Sequence, residues 1–177
     1  MLKIITIMET KNNIVTAIEC KNRRDTVSKE ITKYWNIIKS ENVVPKKYKR
    51  NYDLQAVLNQ IKELAEERIL LKLYLQCINM GITKFSELKD NNYITIFTLS
   101  EKNEQDFHLS KVPTLNTLEK RKKGKKNMDS TEIFTSQFIA KQRNALKLDI
   151  TSLMKKLEDF NANAKLDISA PAASLAA

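Results

Sequence analysis

A chain of 177 residues is sized for one domain, and a second independent core would be cramped. Its 42% apolar and 29% charged residues exclude wholesale disorder, while two glycines and three prolines exclude sandwiches, barrels and nucleotide-binding βα units, which need glycine at tight turns or against phosphate. The net charge of +10 is local, because Lys120, Arg121, Lys122, Lys123, Lys125 and Lys126 form one run that points to an acidic partner surface such as nucleic acid.

The chain begins MLKIITIMETKNN, with too short an apolar stretch for a signal peptide, and Met8 is an alternative start to Met1. Nowhere does an apolar run approach the ~20 residues of a membrane span, so no membrane partner is expected. The first helix is expected over about 11–42. Its stripe is Ala17, Cys20, Arg24, Val27, Ile31, Tyr34 and Ile38. Steps of three and four keep such a stripe on one face, because 3.5 residues is close to one helical turn. The helix should end near Asn42, since Pro45 restricts its predecessor and lacks an amide donor.

The second helix, about 53–80, carries Val57, Ile61, Leu64, Arg68, Leu71, Leu75 and Ile78. Asn51 or Asp53 can cap it, and Gly81 suits the left-handed position beyond its end. A short connection over 43–52 predicts an antiparallel helical hairpin with arms of roughly 45 Å. Residues 69–75 are apolar on several faces, so Leu70, Leu71, Tyr74 and Leu75 should pack against another helix or a second subunit.

Residues 93–99, YITIFTL, alternate and are rich in β-branched side chains, which predicts a strand. Pairing with 107–112 across a polar turn would make a small β-hairpin over about 93–112. Two strands alone are marginal, so this hairpin should lean on the helices or on a partner's sheet. Residues 113–129 read as a charged basic loop. A third long helix, about 130–161, repeats the stripe with Ile139, Arg143, Leu146, Ile150, Leu153, Leu157 and Phe160. Ser130 or Asp129 is its expected cap.

The fold expected is therefore mainly α: a long antiparallel helical hairpin plus a third long helix in a coiled-coil-like bundle, with the β-hairpin inserted between helices two and three. It makes one domain over 1–168, followed by a small-residue tail over 169–177. The hairpin, the ENVVP turn at residues 41–45 and the closing segment LEDFN at 157–161 together resemble the septicolysin-related small helical proteins of bacteria and their phages. The likeness covers roughly residues 8–168. It implies a helical fold and brings no activity. The alternating stretch after helix two and the basic run depart from that pattern.

No residue pattern here suggests catalysis. His108 stands alone on the expected strand, and Cys20 and Cys77 share no metal-ligand spacing, which suits reduced core thiols in a cytoplasmic setting. Isolated glycines cannot build a phosphate loop. No cofactor, metal or small-molecule substrate is expected. Two clusters suit nucleic acid: the 120–126 run, and Lys46, Lys47, Tyr48, Lys49, Arg50 and Tyr52 at the hairpin tip, where cations mix with aromatics. For each the plainer reading is a solvated surface, or one that faces an acidic protein.

Arg24, Arg68 and Arg143 each interrupt a stripe. The hairpin register puts Arg24 and Arg68 at one height, a polar layer that needs a carboxylate such as Glu67 or Asp149. The final SLAA resembles a bacterial degradation tag, with coincidence in an alanine-rich tail the plainer reading. The function expected is a non-enzymatic, oligomeric scaffold or adaptor of a bacterial or phage assembly, cytoplasmic or within the virion. The alternative is a small nucleic-acid-binding accessory protein.

Overall fold

The computed structural model describes residues 14–88, 92–121 and 129–165. It is mainly helical, with one small two-stranded antiparallel sheet. Helix α1 (Ala17–Glu41) starts in a capping box: the Thr16 hydroxyl accepts from the Glu19 amide at 3.2 Å, and the Glu19 carboxylate accepts from the Thr16 amide at 2.8 Å. These bonds satisfy amides that no preceding turn can reach. The buried face is Cys20, Val27, Ile31, Trp35 and Ile38. Trp35 displaces Tyr34 from the expected stripe, because a straight helix turns every 3.6 residues and the stripe drifts accordingly.

Strand β1 (Val43–Pro45) follows, then helix α2 (Leu54–Asn79). Asp53 caps α2, accepting from the Gln55 and Ala56 amides at 2.9 and 3.2 Å. At the other end Gly81 adopts φ +70, and the Ile82 amide returns to the Cys77 carbonyl at 2.9 Å. That reversal is open to glycine at little steric cost. Ile31, Trp35 and Ile38 of α1 share one core with Leu54, Leu58, Ile61, Leu64 and Leu71 of α2. Both cysteines are free and buried.

The expected β-hairpin over about 93–112 is a helix instead: α3 runs Tyr93–Ser110, straight through the supposed turn. β-propensity reflects fit to a pleated, half-buried surface, and here helix packing overrides it. At helical spacing Glu101 and Leu109 fall on the inward side, where both are buried. Strand pairing occurs elsewhere. Strand β2 (Ser130–Glu132) runs antiparallel to β1 with Val43 opposite Glu132 and Pro45 opposite Ser130.

Two further boundaries move. Within the segment expected as a loop, a short helix α4 (Leu115–Arg121) forms, its Leu115 amide donating to the Glu132 carboxylate at 2.7 Å. The last helix, α5 (Ser136–Asn163), begins after β2 and is capped by Thr135, not by Asp129 or Ser130. Residues 130–132 are held in the sheet, so the helix can only start beyond them. α5 lies along α3, and α3 touches α2.

Asn42, fully buried, ties this end of the molecule together. Its amide nitrogen donates to the Pro113 and Phe134 carbonyls at 2.7 and 2.9 Å, and its oxygen accepts from the Phe134 amide at 2.7 Å. Three otherwise stranded backbone groups are thereby satisfied. No described helix is long and apolar enough to cross a membrane. The alternative start at Met8, residues 11–13 of the expected first helix, and the 169–177 tail lie outside the described residues.

Candidate interaction site

The connection after β1 presents Lys46, Lys47, Tyr48 and Lys49 to solvent, with Tyr52 close behind; Tyr48 is 42% and Tyr52 45% exposed. Arg50 is placed otherwise than expected. Its guanidinium donates to the Glu41 carbonyl at 3.0 Å, the Asn42 carbonyl at 3.2 Å and the Thr131 carbonyl at 2.9 Å. It thus caps the C-terminal carbonyls of α1 and clasps β2, work that leaves it little reach for an outside phosphate. The Tyr48 hydroxyl donates to Glu41 at 2.7 Å, which raises the tyrosine pKa above its ordinary value.

Of the second cluster, Lys120 and Arg121 end α4, while Lys122, Lys123, Lys125 and Lys126 lie outside the described residues. Asp129, just beyond the run, accepts at its carbonyl from the Lys46 amide at 2.7 Å. Strand pairing therefore brings Asp129 beside the basic tip, although the two are some 80 residues apart in sequence.

Between the helices lies a network of ion pairs. Arg68 donates through Nε to Glu101 at 2.8 Å, also binds Glu101 through Nη2, and reaches Glu104 at 2.7 Å. Lys72 meets Glu101 at 2.8 Å from the other side. Burial works against the Arg68 charge, but the Glu101 hydrogen bonds and both carboxylates outweigh it and raise the arginine pKa. Arg23, beside Arg24, forms a fork with Glu67 at 2.6 and 2.9 Å. Arg143 does the same with Asp106 at 2.7 and 3.1 Å, which holds the Asp106 carboxyl below its usual range.

The seam arginines thus part company. Ser28, one turn beyond Arg24, lies 3.4 Å from Arg68, so the heights agree within a turn. The Arg24 guanidinium swings outward to Asp25 at 2.8 Å, and only the Ser28 hydroxyl, which donates to the Arg24 carbonyl at 2.9 Å, links it to Arg68. Glu67 serves Arg23, and Asp149 serves Lys102 at 2.8 Å. Glu101, the carboxylate that Arg68 needs, falls in the polar turn of the expected β-hairpin and is a mid-helix residue in the structure. At helical period Glu101, Glu104 and His108 share a face that matches Arg68 and Lys72, and that spacing is the signal the sequence held.

His108 is a half-buried helix residue, not a hairpin one. It stacks on Trp35 with centroids 5.1 Å apart, and its Nδ1 accepts from the Lys39 ammonium at 2.9 Å. Burial, then the Lys39 charge, pushes its pKa below the ordinary value, so the ring is neutral near pH 7. On α2, Leu71 is fully covered and Leu70, Tyr74 and Leu75 partly so. The cover comes from this chain: α1 on one side and α3 on another, with Phe85 meeting Tyr74 edge-on at 5.1 Å. The apolar stretch 69–75 is thus covered by this chain at Leu71 and only in part at Leu70, Tyr74 and Leu75.

Among the described residues no group of three or more His, Cys, Asp or Glu side chains is placed to hold a metal ion. No family model, curated protein or solved structure matches the chain.

Proposed function

We propose that this chain is a non-enzymatic structural or interaction protein, an adaptor or subunit of a larger bacterial or phage assembly. In this reading α1 and α2 form an antiparallel hairpin, and α3 and α5 complete a coiled-coil-like bundle around it. The observation that carries the reading is a division of labour among side chains. The inward-facing arginines are consumed by partners on neighbouring helices, as in Arg23–Glu67, Arg68–Glu101 and Arg143–Asp106. Meanwhile large apolar groups stand in solvent on three helices: Ile18 on α1, Ile94 and Phe107 on α3, Leu148, Met154 and Phe160 on α5. Exposed apolar surface of that extent suits protein contacts, self-association among them. Likeness to the septicolysin-related family belongs to the same proposal, as does a place in the cytoplasm or a virion.

Light scattering with multi-angle detection, before and after nuclease treatment, tests this. An oligomer that survives nuclease is expected. A monomer at high concentration would defeat the self-association part.

A second reading, nucleic-acid binding, is favoured by the tip, where Lys46, Lys47 and Lys49 flank two exposed tyrosines. Lysines there would release counterions from phosphate while the rings stack on bases. Fluorescence anisotropy with a labelled single strand over a salt series measures it. Replacing those three lysines by glutamine should lower the log–log salt slope by about two to three. Wild-type chain that ignores the strand at low salt ends this reading.

A further inference from the structure

At the end of α2 away from the tip, α1 and α3 both rest on α2 and leave between them an open trough of about 710 Å³. Its floor is two turns of α2, with Lys72 and Leu75 among the floor residues. Ile18, Lys21 and Arg24 of α1 line one wall, Ile96 and Phe97 of α3 the other. The four floor positions run Lys72 to Asn79, about 10 Å at 1.5 Å per residue. Ile14, just before α1, and Ile94 of α3 are also exposed.

We propose that this trough is the docking site for an acidic amphipathic helix of a partner protein. Shape is the first reason. Two helix walls on a helix floor offer what a fourth helix fills, with an apolar stripe at spacings of three and four inserted between them. Charge is the second. Three cations and no carboxylate line the trough: Lys72 pairs with Glu101 and Arg24 with Asp25, both outside the lining, and Lys21 also acts on Asp25. Lys72 also lies 5.9 Å over the Phe97 ring, which fixes a positive charge beside the apolar wall. The chain's own charge is the third reason. Six of the ten net charges lie in the 120–126 run, and the rest of the chain is still basic, so an acidic helix is drawn to the trough more strongly than a second copy. Ile18, 72% exposed, would be covered on docking.

The proposal rests on the interaction reading above and fails separately from it. The probe is a fluorescein-labelled peptide of about 15 residues, roughly four turns, with leucines at helical stripe spacing and glutamates elsewhere. Its controls have the same composition in scrambled order, and lysine in place of glutamate. Anisotropy against the full chain should show the patterned acidic peptide binding at least about tenfold tighter than the scrambled one, and the lysine peptide not binding. Ile18→Asp, and Lys21→Glu with Arg24→Glu, should each weaken binding about tenfold or more. These positions are surface-exposed or half-exposed, so circular dichroism should show unchanged folding. Equal binding of patterned and scrambled peptides would mean charge attraction without a docking groove, and overturns the proposal. So does binding that survives both variants, or no binding at all. An oligomer that Ile18→Asp dissolves assigns the trough to a second copy and likewise overturns it. A chain that self-associates regardless and ignores the peptide loses the trough assignment while the wider reading stands.

Discussion

The α1–α2 pair and the α3–α5 pair are both pairs of long helices and are held together differently. In the first, Cys20, Val27, Ile31, Trp35 and Ile38 meet Leu54, Leu58, Ile61, Leu64 and Leu71, and all are out of solvent. In the second, α5 buries only Ile139 and Leu146, and α3 only Leu109 and the carboxylate of Glu101. Its stripe residues Ile150, Leu153 and Leu157 are half-buried. Ion pairs also cross that seam: the Arg143–Asp106 fork, and Lys102–Asp149 at the surface. A stripe tells which residues face a neighbour. How dry that face becomes depends on how many neighbours arrive, and α2 has two where α5 has chiefly one.

Truncations should expose that difference most strongly. Ile31→Ala in the dry pair is expected to cost about 2–5 kcal/mol, since the transfer and cavity terms add. Leu153→Ala, at a half-covered site, should cost well under half of that. Urea melts of both variants measure it, and equal losses would mean that the two pairs are equally packed.

Next in size is the joint between the pairs. Glu101→Gln leaves Arg68 buried without its main counter-charge, for an expected loss of about 3 kcal/mol. Asp106→Asn removes a half-exposed partner of Arg143 and should cost no more than about 1 kcal/mol. If the two losses match, the Arg68 network is no more sheltered than the surface fork.

The pH dependence is smaller and its sign is fixed. His108 has a folded pKa below its ordinary 6.5, so the unfolded chain binds the proton more readily. Stability from this contact is present above about pH 6.5 and is lost as pH falls toward the lower folded value. Around the ring stand Lys39 and Trp35 of α1, Arg68 of α2 and Glu104 of its own helix; only Glu104 favours the charged ring. Melting temperature should drop between pH 7 and 5 more in the wild type than in His108→Gln, and Trp35 fluorescence should report the change. Identical pH profiles would show that His108 is not titrating in the contact.

The smallest effect expected is Lys102→Ala, which removes a surface pair with Asp149 and should shift stability by about 0.5 kcal/mol or less. A larger loss would show that α3–α5 register depends on it.

From sequence alone came the helical class, a cap at Asn51 or Asp53, the reversal at Gly81, and the core positions Val27, Ile31, Ile61, Leu64 and Leu71. Each depends on neighbours within about two turns, where glycine scarcity, capping chemistry and periodicity act directly. Tertiary structure alone decided the rest. Residues 93–110 hold β-branched residues that favour a strand locally, yet they fold as a helix that carries Glu101 to Arg68, some 33 positions away. Asn42 reads as an ordinary helix end until Pro113 and Phe134 close around it. Arg50 reads as a cation for a phosphate until the carbonyls of α1 and β2 surround it. A buried charge or amide is fixed by whichever polar groups the fold brings within about 3 Å, and those groups lie far off in sequence.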